Sequence, residues 1–564
     1  MELVDTHALG ACASRRAGSS PVPGTRFNFY DIILSRMGKI ARYLNQLTVG
    51  NVFDNPEILE KYATDGSALK IKPKFVAFPE STDDIRKLMR FFNQLAEKDI
   101  KVSVTARGNG HDISGAALTN GIIISTEKMN QLLEIDPRER LVHVQAGITL
   151  KELNTALSVS GLTIPVNADG DETIGGLISN CLVDECADKY GGIEKYIERV
   201  EVVLANGECL QTSRLKKYAV AKKAAEKTPE GTIYRKIAKI VHDKQALLEK
   251  LTREERDLAG YPGITKVTKK ETMDLMPLFF GAQGTLGIIS EVILKAAPMT
   301  NRPMRVVATF KEFHTAMDYM KELKNMRPEK LDFYDLRIIM EARETGKNLD
   351  GVIRKLESGY VIFASFAERP GSKLKKIMAL KNNLPRSAKF IFEKPENRTI
   401  LNEFENSLAN YLSYVKNGER VPILTYFYLP PENIEKFLED LEILASKLEL
   451  DLALYGSFAT GIYHLRPKFD LEADDYRKKV ATFLRAGAYV IARQGGKLTG
   501  GSPEGRLKAV VVNDEMPEPE KTMYTDIKQV FDSNNILNSN VKLGADSRFT
   551  LTHFRDTNQP KIMI

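Results

Sequence analysis

Residues 106–115 read Ala106-Arg107-Gly108-Asn109-Gly110-His111-Asp112-Ile113-Ser114-Gly115. A β-branched run from Ile100 to Thr105 precedes them, and a second apolar run, Ile122-Ile123-Ile124, follows. A glycine loop clamped between two strands suits a phosphate group, because closely spaced backbone N–H groups can point at the anion. The loop departs from the usual dinucleotide fingerprint, which needs a third glycine three residues after the second. Ile113 stands at that place, and no helix pattern starts at the loop. The residues therefore predict a β-loop-β phosphate cradle, with a glycine-rich turn that binds nothing as the alternative.

Further glycine-rich segments follow in order. They are Thr173-Ile174-Gly175-Gly176, Tyr190-Gly191-Gly192, Val202 to Gly207, Phe280 to Ile289 (FGAQGTLGII) and Phe531 to Asn538 (FDSNNILN). Upstream stand Tyr62 to Ser67 (YATDGS) and Pro79 to Ile85. In this order the segments resemble the FAD-linked oxidoreductases of the vanillyl-alcohol-oxidase type, over roughly residues 50–545. The resemblance implies an α+β protein: a two-part FAD-binding domain with an inserted α+β substrate-cap domain. It also implies that Arg107 to Gly115 wraps the FAD pyrophosphate, its glycines letting the backbone approach. Thr173, Ile174, Gly175 and Gly176, with Gly191 and Ile193, would line the other side of the dinucleotide. Gly284, Thr285, Gly287, Ile288 and Ile289 would run along it as extended backbone. Asn538 matches a terminal asparagine usually followed by Pro-Gly, where Ser539-Asn540 stands here.

His111 carries a second implication. Family members reading Arg-Gly-x-Gly-His attach the flavin 8-methyl carbon to that histidine, and Arg107 to His111 reproduces the pattern. A neutral imidazole is a competent nucleophile. A histidine that only hydrogen-bonds near the pyrophosphate is the alternative. Doubly linked members use a cysteine shortly before the second glycine motif; that place is about Asp169 here, so no second link is expected.

Tyr455 to Pro467 (YGSFATGIYHLRP) resembles the glycolate-oxidase and D-lactate-dehydrogenase branch, whose segment reads Gly-His-x-Gly-x-Gly-x-x-His. The second histidine survives as His464, and Ser457 replaces the first. Gly500 to Arg506 (GGSPEGR) stands where the branch reads Gly-Glu-His-Gly-x-Gly-Arg, so Gly501 replaces the glutamate and Ser502 the last histidine. In that branch these groups hold a divalent metal, and the last histidine is the base. One imidazole cannot make such a site, so no metal is expected. Oxidation of a CH–OH group still needs a base. His464 is the retained candidate and Glu504 the second. Arg466 or Arg506 could bind a carboxylate through two N–H groups.

The reading is thus an FAD-dependent dehydrogenase or oxidase acting on the CH–OH group of a small polar substrate such as a 2-hydroxy acid. The alternatives are a sugar, lactone or polyol oxidoreductase with His-linked FAD, and a flavin-binding protein without turnover. The acceptor is left open among oxygen, quinone and protein.

Composition agrees with a globular chain: 564 residues, 43% hydrophobic and 27% charged. No apolar run approaches a membrane span. The net charge of +7 looks spread through many Lys and Glu, which suggests a solvated surface and no nucleic-acid partner. Cys12, Cys181, Cys186 and Cys209 make no disulfide framework. A cytoplasmic location is expected, with a peripheral membrane location the variant. Residues 1–36 lack a signal-peptide pattern. Glu2 to Thr6 and Gly18 to Pro21 back-translate to the D-arm and T-arm of a leucine transfer RNA, so translation is expected to start near Met37, with a disordered tail as the rival.

The expected division is a leader at 1–36, the FAD-binding part at 37–300 with a lysine-rich helical insertion at 216–274, the cap at 301–516, and a return to the FAD part at 517–564. Within these, periodicity predicts a helix over 83–97 and a capped helix from Thr149 with Glu152 three residues on. In the cap it predicts strands at 306–310, 360–366 and 423–428, and helices at 314–323, 402–414 and 433–448.

Overall fold

The computed structural model describes residues 37–166, 170–253, 256–299, 303–344, 359–366, 371–382, 384–385, 388–413, 420–470 and 473–555. The leader at 1–36 and Asp169 lie outside the described residues.

Two sheets build the first half. Strands β1 (Asn51–Phe53), β2 (Phe75–Phe78), β3 (Val104–Arg107) and β4 (Ile122–Ser125) lie in the order β1-β2-β4-β3. β4 runs parallel to both β2 and β3. A parallel sheet is buried on both faces. That is why Ile122, Ile123 and Ile124 are all fully buried and read as a continuous apolar run. Helix Thr82–Ala96 joins β2 to β3, capped by Ser81 and burying Ile85, Leu88, Met89 and Phe92. Neighbouring parallel strands are usually joined by a helix. Between β3 and β4, residues 108–121 contain none, and the glycine loop itself makes the crossover.

The second sheet holds β5 (Leu132–Asp136), β6 (Leu141–Gln145), β7 (Ile197–Val203), β8 (Cys209–Gln211) and β9 (Ile288–Lys295) in the order β5-β6-β9-β7-β8. Helix Leu150–Ser158 starts with the capping box of Thr149 and Glu152. Helix Ile174–Asn180 joins the same core through Ile174, Leu177 and Ile178.

Between β8 and β9 comes a segment of helices Lys217–Ala225, Pro229–Asp243 and Gln245–Arg253, closed by a small three-stranded sheet. Two-residue strands carry no periodicity, so only the helices were legible in the sequence. Residues 215–273 hold fifteen Lys and Arg against eight Asp and Glu, a net +7 that equals the charge of the whole chain. The positive charge is therefore gathered here, and the rest of the chain is neutral on balance, which corrects the expectation of a charge spread along the chain.

The cap is a seven-stranded antiparallel sheet: β10 (Met304–Phe310), β11 (Lys330–Asp335), β12 (Tyr360–Phe366), β13 (Lys389–Phe392), β14 (Leu424–Tyr428), β15 (Asp451–Ser457) and β16 (Ile462–Lys468), ordered β13-β10-β12-β11-β15-β16-β14. Period-two alternation splits it into two faces. Val306, Leu331, Phe333, Ile362, Leu454 and Tyr463 join the large core that includes helices Phe313–Lys324, Ile434–Leu448 and Tyr476–Arg493. Val307, Val361, Phe363, Ala453 and Tyr455 join the core of helices Leu336–Glu344 and Arg398–Ser413. Asp332, Tyr334, Ser457 and His464 share this second face by register. β11, β13, β15 and β16 lie outside the elements predicted from the sequence.

The chain then returns. Helix Glu518–Phe531 packs Met523, Tyr524, Ile527 and Phe531 into the core of the second sheet. Ile536 accepts the Val104 N–H at 2.7 Å, and the Asn538 N–H bonds the Val104 carbonyl at 2.8 Å.

Candidate active site

β3 ends in Arg107, which is buried beneath the Tyr62 ring and donates from Nη1 to the Thr64 carbonyl at 2.8 Å. Its buried Nε has no partner. A Cβ on Gly108 would fall 2.2 Å from Thr173 Oγ1, so only glycine lets β3 pass the start of helix Ile174–Asn180 this closely. Gly110 has φ +79° and lies against Arg107, where a Cβ would meet Nη2 at 2.2 Å. Asn109 Nδ2 donates to the Asp171 carbonyl at 2.7 Å. Among the described residues the N–H groups of Asn109, Gly110 and His111 have no protein acceptor. Successive free N–H groups beside a buried guanidinium are an anion cradle. The implied FAD fits this loop through its pyrophosphate.

Asp112 turns inward. Its carboxylate accepts from the Ser114 N–H at 3.1 Å, the Ser114 hydroxyl at 2.9 Å and the Ala116 N–H at 2.7 Å. It therefore shapes the loop around Ser114, which Ile113 and Gly115 flank. Asp65 is a buried neighbour whose Oδ1 accepts from the Ser67 N–H and hydroxyl while Oδ2 has no partner. Burial, then the charge of Asp112, pushes the Asp65 carboxyl up to about 7. Burial raises Asp112 as well. Two carboxyl groups so close behave as one titrating pair.

Asn538 staples the cradle. Its Oδ1 accepts from Thr105 Oγ1 at 2.8 Å, and its Nδ2 donates to the carbonyls of Ala116 at 2.8 Å and Gln283 at 2.7 Å. Asn538 has φ +43° and Asn540 φ +65°, so asparagines supply the left-handed turn that glycine makes elsewhere. Gln283 is a hub that the sequence reading passed over. Its Nε2 reaches Ser114 Oγ at 3.3 Å and Asn180 Oδ1 at 3.2 Å, and its Oε1 accepts the Gly505 N–H at 3.0 Å.

The remaining cofactor candidates divide. At the helix start, the Ile174 and Gly175 N–H groups bond the Ile148 and Ala146 carbonyls, and the Gly176 N–H bonds Thr173 Oγ1. That end holds the second sheet rather than offering free donors. Gly191, at φ +81°, ends a short helix before the buried Ile193. Gly284 has φ +70°, and Thr285 Oγ1 pairs with Tyr261 and the Ala282 carbonyl. Gly287 passes Val202 where a Cβ would be 2.3 Å from it, and Ile288 and Ile289 are strand residues paired with Val203 and Val202. His111 is 27% exposed, with Nδ1 4.0 Å from Glu172 Oε1.

On the cap face, β11, β15 and β16 set Tyr334, Tyr455 and His464 in one row. The His464 ring stacks on Tyr455 at 4.4 Å, and Tyr426 meets it edge-on at 4.4 Å. The Tyr426 N–H donates to Nδ1 at 3.4 Å, which leaves the ring proton on Nε2. Burial, then the cations Arg466 and Lys508, holds the imidazole well below its usual range. His464 is neutral at pH 7. Arg466 points its guanidinium at the Leu412 carbonyl and the Tyr455 ring. Arg506 donates to the carbonyls of Leu118 and Ser539. Glu504 is fully buried: Oε2 is 2.5 Å from Lys542 Nζ and Oε1 accepts the Gly260 N–H at 2.6 Å. The structure thus brings His464 to the cap face and commits Glu504 and Arg506 to joints between segments.

Lys508 and Asp332 escaped the sequence reading. Lys508 Nζ lies among the carbonyls of Thr425, Leu498 and Ser502 and 2.7 Å from Ser502 Oγ. Burial pushes its ammonium down to about 7. Asp332 is buried opposite Ser457. A lysine in a helix and an aspartate in an unpredicted strand carry no signal of burial. The metal of the related branch does not fit: Ser457, Gly501 and Ser502 supply no strong ligand beside His464. Among the described residues no group of three or more His, Cys, Asp or Glu side chains is arranged to hold an ion.

Comparison with known proteins adds the following. A family model described as an FAD binding domain matches residues 73–213, and one described as FAD linked oxidases, C-terminal domain, matches residues 301–541. D-2-hydroxyglutarate dehydrogenase of Pseudomonas putida is 25% identical over 494 residues, covering 84% of this chain and 49% of that protein. The chain spans about half the length of that relative. D-lactate dehydrogenase of Archaeoglobus fulgidus is 26% identical over 475 residues, covering 82% of this chain and 90% of that protein. The structure of a 4-ethylphenol oxidase from Gulosibacter chungangensis matches with a TM-score of 0.65 at 15% identity, over 93% of this chain and 99% of that one, a likeness of fold alone.

Proposed function

We propose that this chain, which belongs to the FAD-linked oxidases, oxidises the CH–OH group of a small polar substrate, a 2-hydroxy acid first among the candidates. When bound, FAD accepts the hydride from the substrate carbon. Arg107, the free N–H groups of Asn109 to His111, and the staple of Asn538 would hold it. The observation that carries the reading is His464, a buried neutral imidazole clasped by Tyr455 and Tyr426 on the cap face. A neutral ring with its proton on Nε2 donates a hydrogen bond to the substrate oxygen and orients it. The dehydrogenase names of the relatives support the 2-hydroxy-acid class.

A sugar, lactone or polyol is the second reading, favoured by the replacement of the branch's metal ligands at Ser457, Gly501 and Ser502. Anaerobic mixing with panels of 2-hydroxy acids, sugars and polyols separates the two by which panel bleaches the flavin. Bleaching by no member of either panel sinks the enzyme reading. The acceptor of the second half-reaction is proposed to be oxygen, a quinone or a protein. Among the described residues no helix is long and apolar enough to cross a membrane. The division into an FAD-binding part at 37–300 and 517–564 and a cap at 301–516 is proposed with it.

A further inference from the structure

Of the metal-binding residues of the related branch this chain keeps His464 alone, so the branch's metal-assisted proton removal has no counterpart here. Another group must take the hydroxyl proton. Asp332 lies on β11, in register with Ser457 on β15, the position where the branch has its first metal-binding histidine. It is 3% exposed, and its Oδ1 has no hydrogen-bond partner. A buried carboxylate oxygen left unpaired is costly unless something else comes to it. Ser457 stands opposite it on the neighbouring strand, and its hydroxyl donates to the Leu331 carbonyl at 3.5 Å. Tyr190 and Lys189, from the FAD-binding part, reach Glu329, three positions before Asp332, and the charges of Glu185, Lys330 and Glu405 act on the carboxylate. The carboxylate thus sits where the two parts of the chain meet, one row from His464 on the same sheet face.

Resting on the function proposed above, we propose that Asp332 is the catalytic base, its Oδ1 taking the proton from the substrate hydroxyl in place of a metal-bound base. The substrate loses a hydride from carbon to the oxidised flavin and a proton from oxygen to Asp332, and its C–O bond becomes C=O. His464 donates from Nε2 to the same oxygen, and Lys508 holds the adjoining loop through Ser502. Burial, then the charge of Glu185, raises the Asp332 carboxyl well above its ordinary range, with Lys330 opposing and Glu405 adding to the shift. A carboxylate raised in this way is a stronger base than an exposed one.

The test compares wild type, Asp332→Asn and Asp332→Glu as FAD-loaded proteins. D-lactate, D-2-hydroxyglutarate and glycolate are mixed anaerobically across about pH 5 to 9. Asp332→Asn is expected to keep full FAD occupancy and to slow flavin reduction by roughly 10²- to 10⁴-fold, with loss of the rising acid limb of the rate. Asp332→Glu is expected to recover part of the rate with a displaced limb. An Asp332→Asn rate within about threefold of wild type, with the limb intact, overturns the inference while leaving the proposed function standing. A second readout needs no substrate: the infrared difference spectrum between acid and alkaline pH. A protonated-carboxyl band that persists toward neutral pH in wild type and vanishes in Asp332→Asn supports the assignment. A spectrum identical in the two proteins overturns it even if no acid in the panel bleaches the flavin.

Discussion

Asn538 donates from Nδ2 to the carbonyl of Gln283 at 2.7 Å, across 255 positions of sequence. The same amide bonds the Ala116 carbonyl, and its oxygen receives Thr105. One side chain thus holds the end of β3, the end of the glycine loop and the turn before β9 together. Asn538→Ala leaves these buried groups unpaired at a cost of roughly 1–3 kcal/mol each. FAD occupancy and the denaturant midpoint are both expected to fall. Unchanged absorbance ratio and midpoint would contradict the stapling role.

Gly110 is the strictest position in the loop. Its φ of +79° strains any other residue, and an added Cβ meets the Arg107 guanidinium. Gly110→Ala is expected to weaken FAD binding by at least tenfold, about 1.4 kcal/mol. Titration of the apoprotein with FAD reads this directly, and an unaltered Kd would refute the close-approach argument.

The Asp65–Asp112 pair should make the fold sensitive to alkali. Burial and the charge of Asp112 hold the Asp65 carboxyl at about 7 in the folded chain, above its ordinary 3.8. A group raised in this way contributes stability that is fully present below about pH 4 and is lost as pH rises through 7. The rise from 3.8 to about 7 bounds that loss at about 4 kcal/mol, with the Arg107 and Arg555 guanidiniums opposing the rise. Asp65→Asn is expected to flatten this slope and to melt higher than wild type at pH 8. Parallel pH profiles of the two melting temperatures would show that the pair bears no such strain.

Glu504 and Lys542 are both fully buried and 2.5 Å apart. Removing one partner strands a buried charge, so Glu504→Gln is expected to destabilise by about 3–5 kcal/mol. Glu504→Gln with Lys542→Met should recover most of that loss. If Glu504→Gln instead keeps its stability and loses only flavin reduction by substrate, Glu504 belongs to the chemistry and not to the joint.

His111 is accessible, with Glu172 beside Nδ1. The link implied by the Arg107 to His111 pattern predicts a fluorescent band after acid denaturation and gel electrophoresis, absent from His111→Ala. Release of free FAD with a dark wild-type band excludes covalent attachment.

Several features were legible before any coordinates. The glycine loop, the capping box at Thr149 and Glu152, the stripe of helix Thr82–Ala96 and the strand at Tyr360–Phe366 are local patterns, each decided by residues within a few positions of one another. The family resemblance rests on the same kind of signal, short segments in a fixed order. The family and its FAD could therefore be read from the chain alone, as could the replacement of the branch's metal ligands at Ser457, Gly501 and Ser502.

Tertiary structure decided which candidate catalytic residues are committed to packing. Glu504 looked like a candidate base, and its partner Lys542 lies 38 positions away. Arg506 looked ready for a carboxylate, and carbonyls from two distant loops take its N–H groups. Asp332 belongs to a strand that alternation did not reveal, and its burial depends on register with Ser457, 125 positions on. Charge, desolvation and pairing are set by what the fold brings within a few ångströms. A sequence names the groups that can bind or titrate, and only packing settles which of them are left free to do so.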